Sequence, residues 1–529
     1  MFGPETARTG GGWRWVWPLL LLAYFVLGLG RAELFDVDEG AFSEATREMV
    51  VSGDWGHTTL NGADRFDKPI GVYWLQALSV SVFGVNEFAT RLPSALAAWV
   101  ACLALAAFVR ERWGDRPAWW AAAIHASSFG PWVMAHASTA DALLGLWLML
   151  SALDLWRYLE DGRPAALRRL ALWVGLGVLT KGPVAVLIPL AALGLSLLSE
   201  RRAAPLWQAL RDVRAWLILL LVAAPWYAYA LWRHGWRFVD GFILRHNLDR
   251  FSAPMEGHDG GLGYFLLLAP LLWLPWSALV LALPGQARAL WQDLRLRRAL
   301  LWAGFVLVFF SLSATKLPHY ALYAAPGMAL LLVHGARHAR AWVWALVALA
   351  LLAWHGLMLG LPAWLLQHPE VVRAADYQAL LREAPRPDWA GSVAACWALA
   401  ALAWFWQGKR QGQLAWRRAV PQAALLHGVL MAWWVMPWWA HTLQAPVRQL
   451  GEQSRALPGV VVQWQLHQPS FGFYRQQPAP RREPAPGEHA LVRRSRLPDL
   501  AGWPVLAQAG HLALVQRPAL APALEGARP

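Results

Sequence analysis

Three acidic residues, Asp36, Asp38 and Glu39, precede a short apolar pattern near the N-terminus. The spacing behind them predicts an amphipathic helix over 38–52, with an apolar face formed by Phe42, Ala45 and Met49. Asp36 and Glu39 are three residues apart, as an N-terminal cap requires, whereas capping explains Asp38 less well. A carboxylate within hydrogen-bond reach of a hydroxyl can act as a general base, so Asp38 and Glu39 are candidate catalytic residues.

Asp141 lies at the outer edge of a predicted membrane span. A charge at that depth is costly unless it is paired or hydrated, so an acid there is a functional candidate by default. Capping of the helix that follows is the alternative explanation. We therefore add Asp141 to the candidate catalytic residues.

Lysine is scarce and is found only at Lys68, Lys181, Lys316 and Lys409. The first three lie in segments that we place at the outer membrane face, where the positive-inside trend predicts few cations. Together with Arg245 and Arg250, they suggest a binding site for an anion at the outer leaflet, and a lipid-linked phosphate fits that depth. Anchoring of lipid headgroups is the alternative for each residue taken singly. Lys68 precedes Pro69, an expected first helical residue, so it lies beside a helix N-terminus where a phosphate could bind.

The composition is that of an integral membrane protein. Of 529 residues, 57% are hydrophobic and only 15% are charged, against about 25% charged in typical soluble domains. Two cysteines in so long a chain exclude a disulfide framework. The formal net charge of +14 would suggest a nucleic-acid partner for a soluble protein. Here the orientation of membrane spans accounts for it, so we expect membrane lipids and no nucleic acid as partners.

About thirteen apolar runs are long enough to cross a membrane as helices. They cover 13–30, 92–109, 118–134, 139–158, 166–180, 183–199, 214–232, 263–283, 299–314, 318–335, 341–362, 391–407 and 420–440. The apolar run 70–84 is too short, since about 15 residues rise only about 22 Å. We expect it to form a helix along the outer membrane surface.

Basic residues alternate between successive loops and so predict the orientation. Loops after the even-numbered spans carry several arginines, whereas the short loops after the third, fifth and ninth spans carry none or a single lysine. The N-terminus is therefore expected in the cytoplasm and the C-terminus outside. Long outer segments are predicted at 31–91, 233–262 and 363–390. The sequence predicts an all-α polytopic membrane domain over 1–440 and a small α/β periplasmic module over 441–529.

Motifs in order along the membrane part resemble one family. They are Asp38-Glu39 with Arg47-Glu48-Met49, Asp67-Lys68-Pro69 with Tyr73-Trp74, Phe83-Gly84 with Arg91-Leu92-Pro93, Asp141, Lys181-Gly182-Pro183, His246 with Arg250-Phe251, Leu274-Pro275-Trp276, and Lys316-Leu317-Pro318 with Tyr320. The chain resembles the bacterial aminoarabinose-transferase-like branch of the dolichyl-phosphate-mannose protein mannosyltransferase superfamily. Those proteins are membrane glycosyltransferases of the GT-C fold.

The resemblance implies a chemistry at the periplasmic face of the bacterial inner membrane. A sugar on a polyprenyl (undecaprenyl) phosphate passes with inversion to an acceptor, which could be lipid A, another glycan or a protein. Asp38 would be the base or orient the acceptor. Lys68, Arg250 and Arg47 would hold the leaving phosphate. With Lys181, Arg245, Lys316 and Tyr320 they form the predicted set of substrate- and phosphate-binding residues.

Two further features of the resemblance concern a metal ion and the sugar. Members of the branch can hold a divalent ion with an acid and a histidine, and Asp67 with His246 are the matching candidates here. No other cofactor is implied. The sequence departs from the aminoarabinose transferases at Ala41 and Phe42, where an Arg-Tyr pair is expected. The resemblance therefore leaves the donor sugar open.

Two other classes of protein stay open on the sequence alone. A transporter of lipid-linked saccharides would place its charges near the middle of the membrane, within broken helices. A non-catalytic membrane scaffold would need neither the acids nor the outer lysines. The clustering of both at one face favours the enzyme.

The predicted orientation can be tested with reporter tags. Tags at the N-terminus and in the loop 200–214 should report a cytoplasmic position, because the arginine-rich loops face inward. A tag after residue 529 should report the outer side. A cytoplasmic C-terminus would contradict the thirteen-span arrangement and move the candidate site to the other face.

Overall fold

The computed structural model describes residues 13–249, 260–411 and 415–519. The first half of the chain forms α1 Trp13–Val26, α2 Asp38–Ser52, α3 Gly71–Phe83, α4 Glu87–Trp113, α5 Asp115–Ser127, α6 Phe129–Ala135, α7 Asp141–Asp161, α8 Pro164–Lys181, α9 Val184–Glu200, α10 Ala204–Arg211, α11 Val213–His234 and α12 Trp236–Phe238. The second half forms α13 Tyr264–Leu272, α14 Ala287–Gln292, α15 Leu294–Leu312, α16 Ala325–His338, α17 Ala341–Gln367, α18 Ala375–Glu383, α19 Ala390–Gln411, α20 Ala415–Leu430, α21 Met436–Gln453 and α22 Ser470–Arg475.

Irregular helical turns join several of these elements. Two π-helices cover Val239–Asp249 and Met431–Val435. The 3-10 turns cover Trp276–Ala282, Pro284–Gln286, Pro318–Ala324, Pro369–Val371, Ser454–Ala456 and Arg494–Leu500. The prediction of an all-α membrane domain is confirmed.

Several predicted spans are interrupted in the structure. Within the described residues, five helical stretches are long and apolar enough to cross a membrane, or six if one bent pair counts as a single span. That pair is α13 with the turn Trp276–Ala282, bent by 114°. The span predicted at 118–134 is divided into α5 and α6. The number of thirteen spans therefore stays a prediction, whereas a multi-pass membrane protein is confirmed.

The membrane helices differ in what surrounds them. α7 lies in the interior, where Leu144, Leu148 and Trp156 belong to the largest apolar core. α11 is mostly exposed and presents side chains such as Leu221 and Trp232 at its surface. A helix that is apolar on its exposed side suits contact with lipid. The predicted hairpin around Lys181-Gly182-Pro183 is present, because α8 ends at Lys181 and α9 begins at Val184.

The first outer segment folds as a small layer on top of the membrane helices. α2 matches the helix predicted at 38–52, and α3 matches the surface helix predicted at 70–84. The two helices pack through the rings of Phe42 and Tyr73, 5.6 Å apart. A hydrogen bond of 2.8 Å joins the Thr46 hydroxyl to the Gln76 side chain. Between the helices lies a hairpin of β1 Thr59–Leu60 and β2 Ala63–Asp64, which the sequence analysis did not predict.

The C-terminal residues form the predicted α/β module. Its sheet contains β3 Val461–Gln463, β4 His489–Arg493, β5 Val505–Ala509 and β6 Leu512–Gln516, in the order β3-β4-β6-β5. β3 and β4 are parallel, with Val461 opposite His489, and the other neighbours are antiparallel. The boundary predicted between 440 and 441 falls inside α21, so one helix connects the membrane part to the module.

The module is bonded directly to the first outer segment. Asp36 accepts hydrogen bonds from the Ser470 amide at 3.0 Å and the Ser470 hydroxyl at 2.5 Å. Asn61 accepts one from the Ala479 amide at 3.1 Å. Asp36 therefore does not cap α2, whose N-cap residue is Val37, without a side-chain hydrogen bond. Its two hydrogen bonds join the module to the start of α2.

The ionisation of Asp36 should make this docking depend on pH. Burial raises the pKa of Asp36 to about 7, although the Ser470 hydrogen bonds oppose the rise. An unfolded aspartate titrates near 4, so between about pH 4 and 7 the folded protein keeps a proton that the unfolded chain loses. The stability that Asp36 contributes is therefore full below about pH 4 and is lost as the pH rises to 7.

Thermal unfolding of the wild type and Asp36→Asn at pH 5 and pH 8 measures this effect. The wild type should lose more stability between the two pH values than the variant, because an amide does not titrate. Equal losses in both proteins would show that Asp36 does not control the docking.

Candidate functional site

Asp38 is the first residue of α2 and is exposed. Its carboxylate makes no hydrogen bond within the described residues. The N-terminus of a helix carries a partial positive charge that stabilises a carboxylate in its ionised form. Arg65 lies near enough for the charge of Asp38 to act on its guanidinium. Asp38 is therefore an accessible carboxylate with a cation close by.

Glu39, the next residue, is engaged in the interior instead. Arg91 donates to both of its carboxylate oxygens, at 2.8 and 2.7 Å. The amides of Ser138 and Phe35 donate two more hydrogen bonds, at 2.6 and 3.0 Å. With all four bonds made, the Glu39 carboxylate has no position left for a substrate. We assign it a positioning role and not the catalytic role expected from the sequence.

Arg47 is also engaged in contacts within the protein. It is buried and forms a bidentate ion pair with Glu44, with both distances at 2.7 Å. Its remaining contact is a hydrogen bond of 3.1 Å to the Gln476 carbonyl of the C-terminal module. Arg47 therefore joins α2 to the module, and these contacts leave it poorly placed to hold a phosphate.

A second group forms around Asp67, directly before α3. Its carboxylate contacts the Arg65 guanidinium and the His246 Nε2, both at 3.2 Å. Lys68 donates to the Asp67 carbonyl at 3.1 Å and is half-buried. Burial alone would raise the pKa of Asp67, but the hydrogen bond from His246 and the charges of Arg65 and Lys68 outweigh it and lower that pKa. The carboxylate is therefore ionised.

Asp67 and His246 meet as the sequence predicted, but their surroundings do not suit a metal ion. The described residues around the pair supply two ligands, whereas protein sites for zinc usually have at least three. Arg65 and Lys68 add two positive charges beside the carboxylate. This arrangement fits an ion pair that orients His246 better than it fits a bound divalent cation.

A third group lies where α7 begins and α8 ends. Lys181 Nζ donates to Asp141 at 2.5 Å and to the Tyr323 hydroxyl at 2.8 Å, and that hydroxyl donates to the same Asp141 oxygen at 2.7 Å. His319 Nε2 lies 3.5 Å from both Asp141 and Lys181. The Tyr320 ring centre is 5.6 Å from the Lys181 ammonium. The structure therefore brings together Asp141, Lys181 and Tyr320, all three predicted from the sequence.

Close backbone contacts bring the elements that carry these groups together. A side chain at Gly71, the first residue of α3, would lie 2.8 Å from the Leu179 carbonyl oxygen, two residues before Lys181. A side chain at Gly182, where φ is +85°, would lie 2.6 Å from the ring of Phe242 in the π-helix that carries His246. Only glycine permits such approaches. The ends of α3, α8 and the π-helix therefore converge.

The remaining predicted cations differ in their environment. Lys316 is buried, and its ammonium donates to the Ser313 carbonyl at 2.6 Å. Arg245 is exposed on the π-helix. Arg250 lies outside the described residues. A role of these three in phosphate binding stays a prediction.

Sequence reasoning missed three residues of these groups, namely Arg65, His319 and Tyr323. Arg65 is buried with its Nε and Nη1 atoms lacking hydrogen-bond partners within the described residues. Tyr323 lies three residues after Tyr320 in the turn Pro318–Ala324. Residues three apart share one side of a 3-10 turn, so the position of Tyr320 could have indicated Tyr323. No comparable signal distinguishes Arg65 from other arginines.

Comparisons with known proteins agree with the predicted resemblance. The family model described as dolichyl-phosphate-mannose-protein mannosyltransferase matches residues 67–229. Undecaprenyl phosphate-alpha-4-amino-4-deoxy-L-arabinose arabinosyl transferase 2 of Pseudomonas fluorescens is 36% identical over 327 residues, which are 58% of this chain and 54% of that protein. The corresponding transferase of Aeromonas salmonicida is 31% identical over 61% of this chain and 60% of its own length. The chain thus matches little more than half the length of these relatives.

Solved structures extend the likeness to almost the whole chain. ArnT from Cupriavidus metallidurans bound to undecaprenyl phosphate has a TM-score of 0.77 at 21% identity, covering 96% of this chain and 98% of that one. The same protein in the apo state has a TM-score of 0.76. These findings confirm the GT-C-like fold and the resemblance to the aminoarabinose-transferase-like glycosyltransferases.

The ion pair between Lys181 and Asp141 should behave as a buried unit. Both side chains are about one-tenth exposed. Lys181→Ala leaves the Asp141 charge unpaired, which costs about 3–5 kcal/mol in comparable pairs. The double variant Lys181→Ala with Asp141→Asn removes that charge and should be more stable than Lys181→Ala alone. Thermal unfolding of the purified proteins measures the difference.

Arg245→Ala is the control, because an exposed surface change usually alters stability by less than about 0.5 kcal/mol. If the double variant is less stable than Lys181→Ala, the two residues do not form a coupled pair.

Proposed function

We propose that the protein is an inverting membrane glycosyltransferase that uses a polyprenyl-phosphate sugar as its donor. It acts at the periplasmic face of the bacterial inner membrane. The observation that carries the proposal is Asp38, an exposed carboxylate that makes no hydrogen bond within the described residues and lies close enough to Arg65 for their charges to interact. An inverting transfer of a sugar from a phosphate requires these two features, a base for the acceptor and positive charge for the leaving group.

The transfer would take place in a single displacement. An acceptor hydroxyl or amine attacks the anomeric carbon from the side opposite the phosphate, and the bond between that carbon and the phosphate oxygen breaks. The acceptor proton passes to the Asp38 carboxylate. The electron pair of the broken bond stays with the phosphate, so the leaving group gains negative charge. It therefore needs cations more than it needs a proton donor.

Lys181 is well placed to contact that phosphate. An ammonium group has three donor hydrogens. Asp141 and Tyr323 accept two of them, at 2.5 and 2.8 Å, and His319 Nε2 lies 3.5 Å away, so these three neighbours hold the ammonium in place. Asp141 would thus be a positioning residue for Lys181, and Lys68 and Arg65 would add charge from the segment before α3.

The names of the relatives support the identity of the lipid carrier. The proteins from Pseudomonas fluorescens and Aeromonas salmonicida are named for undecaprenyl phosphate, and the ArnT structure has undecaprenyl phosphate bound. We therefore propose undecaprenyl phosphate as the carrier. The acceptor would be lipid A, another glycan or a protein.

The donor sugar is defined less closely than its lipid. Ala41 and Phe42 stand where the aminoarabinose transferases are expected to carry an Arg-Tyr pair. Both are buried, and Phe42 packs on Tyr73 with the Arg65 guanidinium 5.3 Å from its ring centre. These apolar side chains offer no hydrogen bonds to an amino sugar. We therefore define the donor by its lipid phosphate and leave its sugar open.

Asp38→Asn tests the proposed base. The amide has the shape of the carboxylate but cannot accept the acceptor proton, so transfer should fall about a hundredfold to ten-thousandfold. Donor binding should persist, because the cations are unchanged. The measurement is transfer of labelled sugar from undecaprenyl phosphate in membranes containing each variant, with donor binding followed separately.

Asp36→Asn is the matched control, two residues away. Asn can keep both hydrogen bonds to Ser470 by accepting one and donating the other, so transfer should largely survive. Loss of transfer in Asp36→Asn with full activity in Asp38→Asn would mean that the wrong acid was chosen. Full activity in both would exclude this acidic turn as the source of the base.

A further inference from the structure

Two histidines and an aspartate meet on the outer side, apart from the groups described above. They are His57 in the turn before β1, Asp64 in β2 and His234, the last residue of α11. One ligand atom from each side chain lies within 4.8 Å of the other two. His57 Nε2 is 3.0 Å from an Asp64 oxygen, and the two imidazole ring centres are 4.3 Å apart.

Among the described residues, hydrogen bonds leave one nitrogen of this group unsatisfied. The Nε2 atom of His234 is buried and has no hydrogen-bond partner within the described residues. Phe66 packs against both imidazoles, with ring centres 5.8 Å from His57 and 5.1 Å from His234, which restricts access of water. A buried nitrogen without a partner is costly unless a ligand occupies it.

A residue outside the group forms a hydrogen bond with the second oxygen of Asp64. Arg237 donates to it at 2.6 Å and leaves the first oxygen directed toward His57. A carboxylate that ligates a metal through one oxygen commonly has its other oxygen hydrogen-bonded in this way. Arg233, beside His234, is neutralised by an ion pair of 2.6 Å with Asp54. The two arginines therefore need not exclude a cation.

We propose that His57, Asp64 and His234 bind a divalent transition-metal ion of the zinc class. Two imidazoles and one carboxylate are ligands that zinc accepts in tetrahedral geometry, with a water in the fourth position. Bonds of about 2.0–2.1 Å place tetrahedral ligand atoms roughly 3.3 Å apart, so small side-chain rotations close the site. It is distinct from Asp67 and His246, and it does not depend on the proposed function.

The bound ion would act as a clamp between distant parts of the chain. His57 and Asp64 belong to the hairpin segment of the first outer layer, whereas His234 ends a membrane helix. The chain continues from His234 through α12 into the π-helix, where His246 contacts Asp67. Fixing His234 to the hairpin would limit the motion of the π-helix relative to Asp67.

Zinc titration of the purified full-length protein, stripped with a chelator, tests the proposal. Calorimetry should give one zinc per chain in the wild type. His57→Ala and His234→Ala should each weaken binding by more than about a hundredfold, since even changes outside the ligand set cost tenfold to a hundredfold. His57→Cys should keep binding, because a thiolate is a zinc ligand. With Co²⁺, the wild type should show the visible absorption of a tetrahedral site, and His57→Cys should add a sulfur charge-transfer band.

His246→Ala is the matched control and should bind zinc as the wild type does. Thermal unfolding without metal shows whether each variant is folded. The proposal is overturned if the wild type binds no zinc, if His246→Ala loses it while His57→Ala and His234→Ala retain it, or if the Co²⁺ protein shows no tetrahedral spectrum.

Discussion

The buried ion pair between Glu39 and Arg91 determines where the candidate site lies. Arg91 uses all five of its N–H groups, two on Glu39 and three on the carbonyls of Leu29, Ala32 and Glu33. Glu39 in turn accepts from the Ser138 amide. Taking two charges out of water is expensive, and only such complete hydrogen bonding compensates for it. The end of α1, the start of α2, the helix α4 and the chain before α7 are therefore fixed together.

This constraint explains why neighbouring acids have different roles. Glu39 faces inward to Arg91, so Asp38, one residue earlier on the helix, must face outward. Asp141 follows Ser138 by three residues and is therefore placed beside the same layer, where Lys181 neutralises it. Proteins give similar acids different chemical roles by placing them in different environments, and one of the acids can then act as the base. Of these three carboxylates, only Asp38 has both exposure and free lone pairs.

The sequence predicted the helices whose bounds depend on local spacing. It did not predict side-chain roles that depend on partners far away in the chain. The bounds of α2 and α3 followed from short-range periodicity and turn residues, and the structure agrees within a residue or two. Glu39 looks like a site residue in the sequence because its partner, Arg91, is 52 residues away and is brought to it only by the tertiary fold. The ion pair of Arg47 with Glu44, three residues earlier, could have been predicted from helical spacing, whereas its contact with the Gln476 carbonyl of the module could not. The hairpin β1–β2 was missed because its strands are too short for an alternating pattern.

The meeting of Asp141 and Lys181 has a further consequence for how a phosphate could be bound. Asp141 begins α7 and Lys181 ends α8, so each charge lies at the helix end whose dipole stabilises it. The pair is therefore stable at the membrane edge, but it is electrically neutral as a whole. A neutral pair attracts an anion weakly at long range, whereas it can still donate a well-directed hydrogen bond. The attraction must come from cations outside the pair, and we propose Arg65 and Lys68, in the segment before α3, for this role. Lys181 would then orient a phosphate that other charges have attracted. The residues that attract the donor would therefore differ from the residue that aligns it.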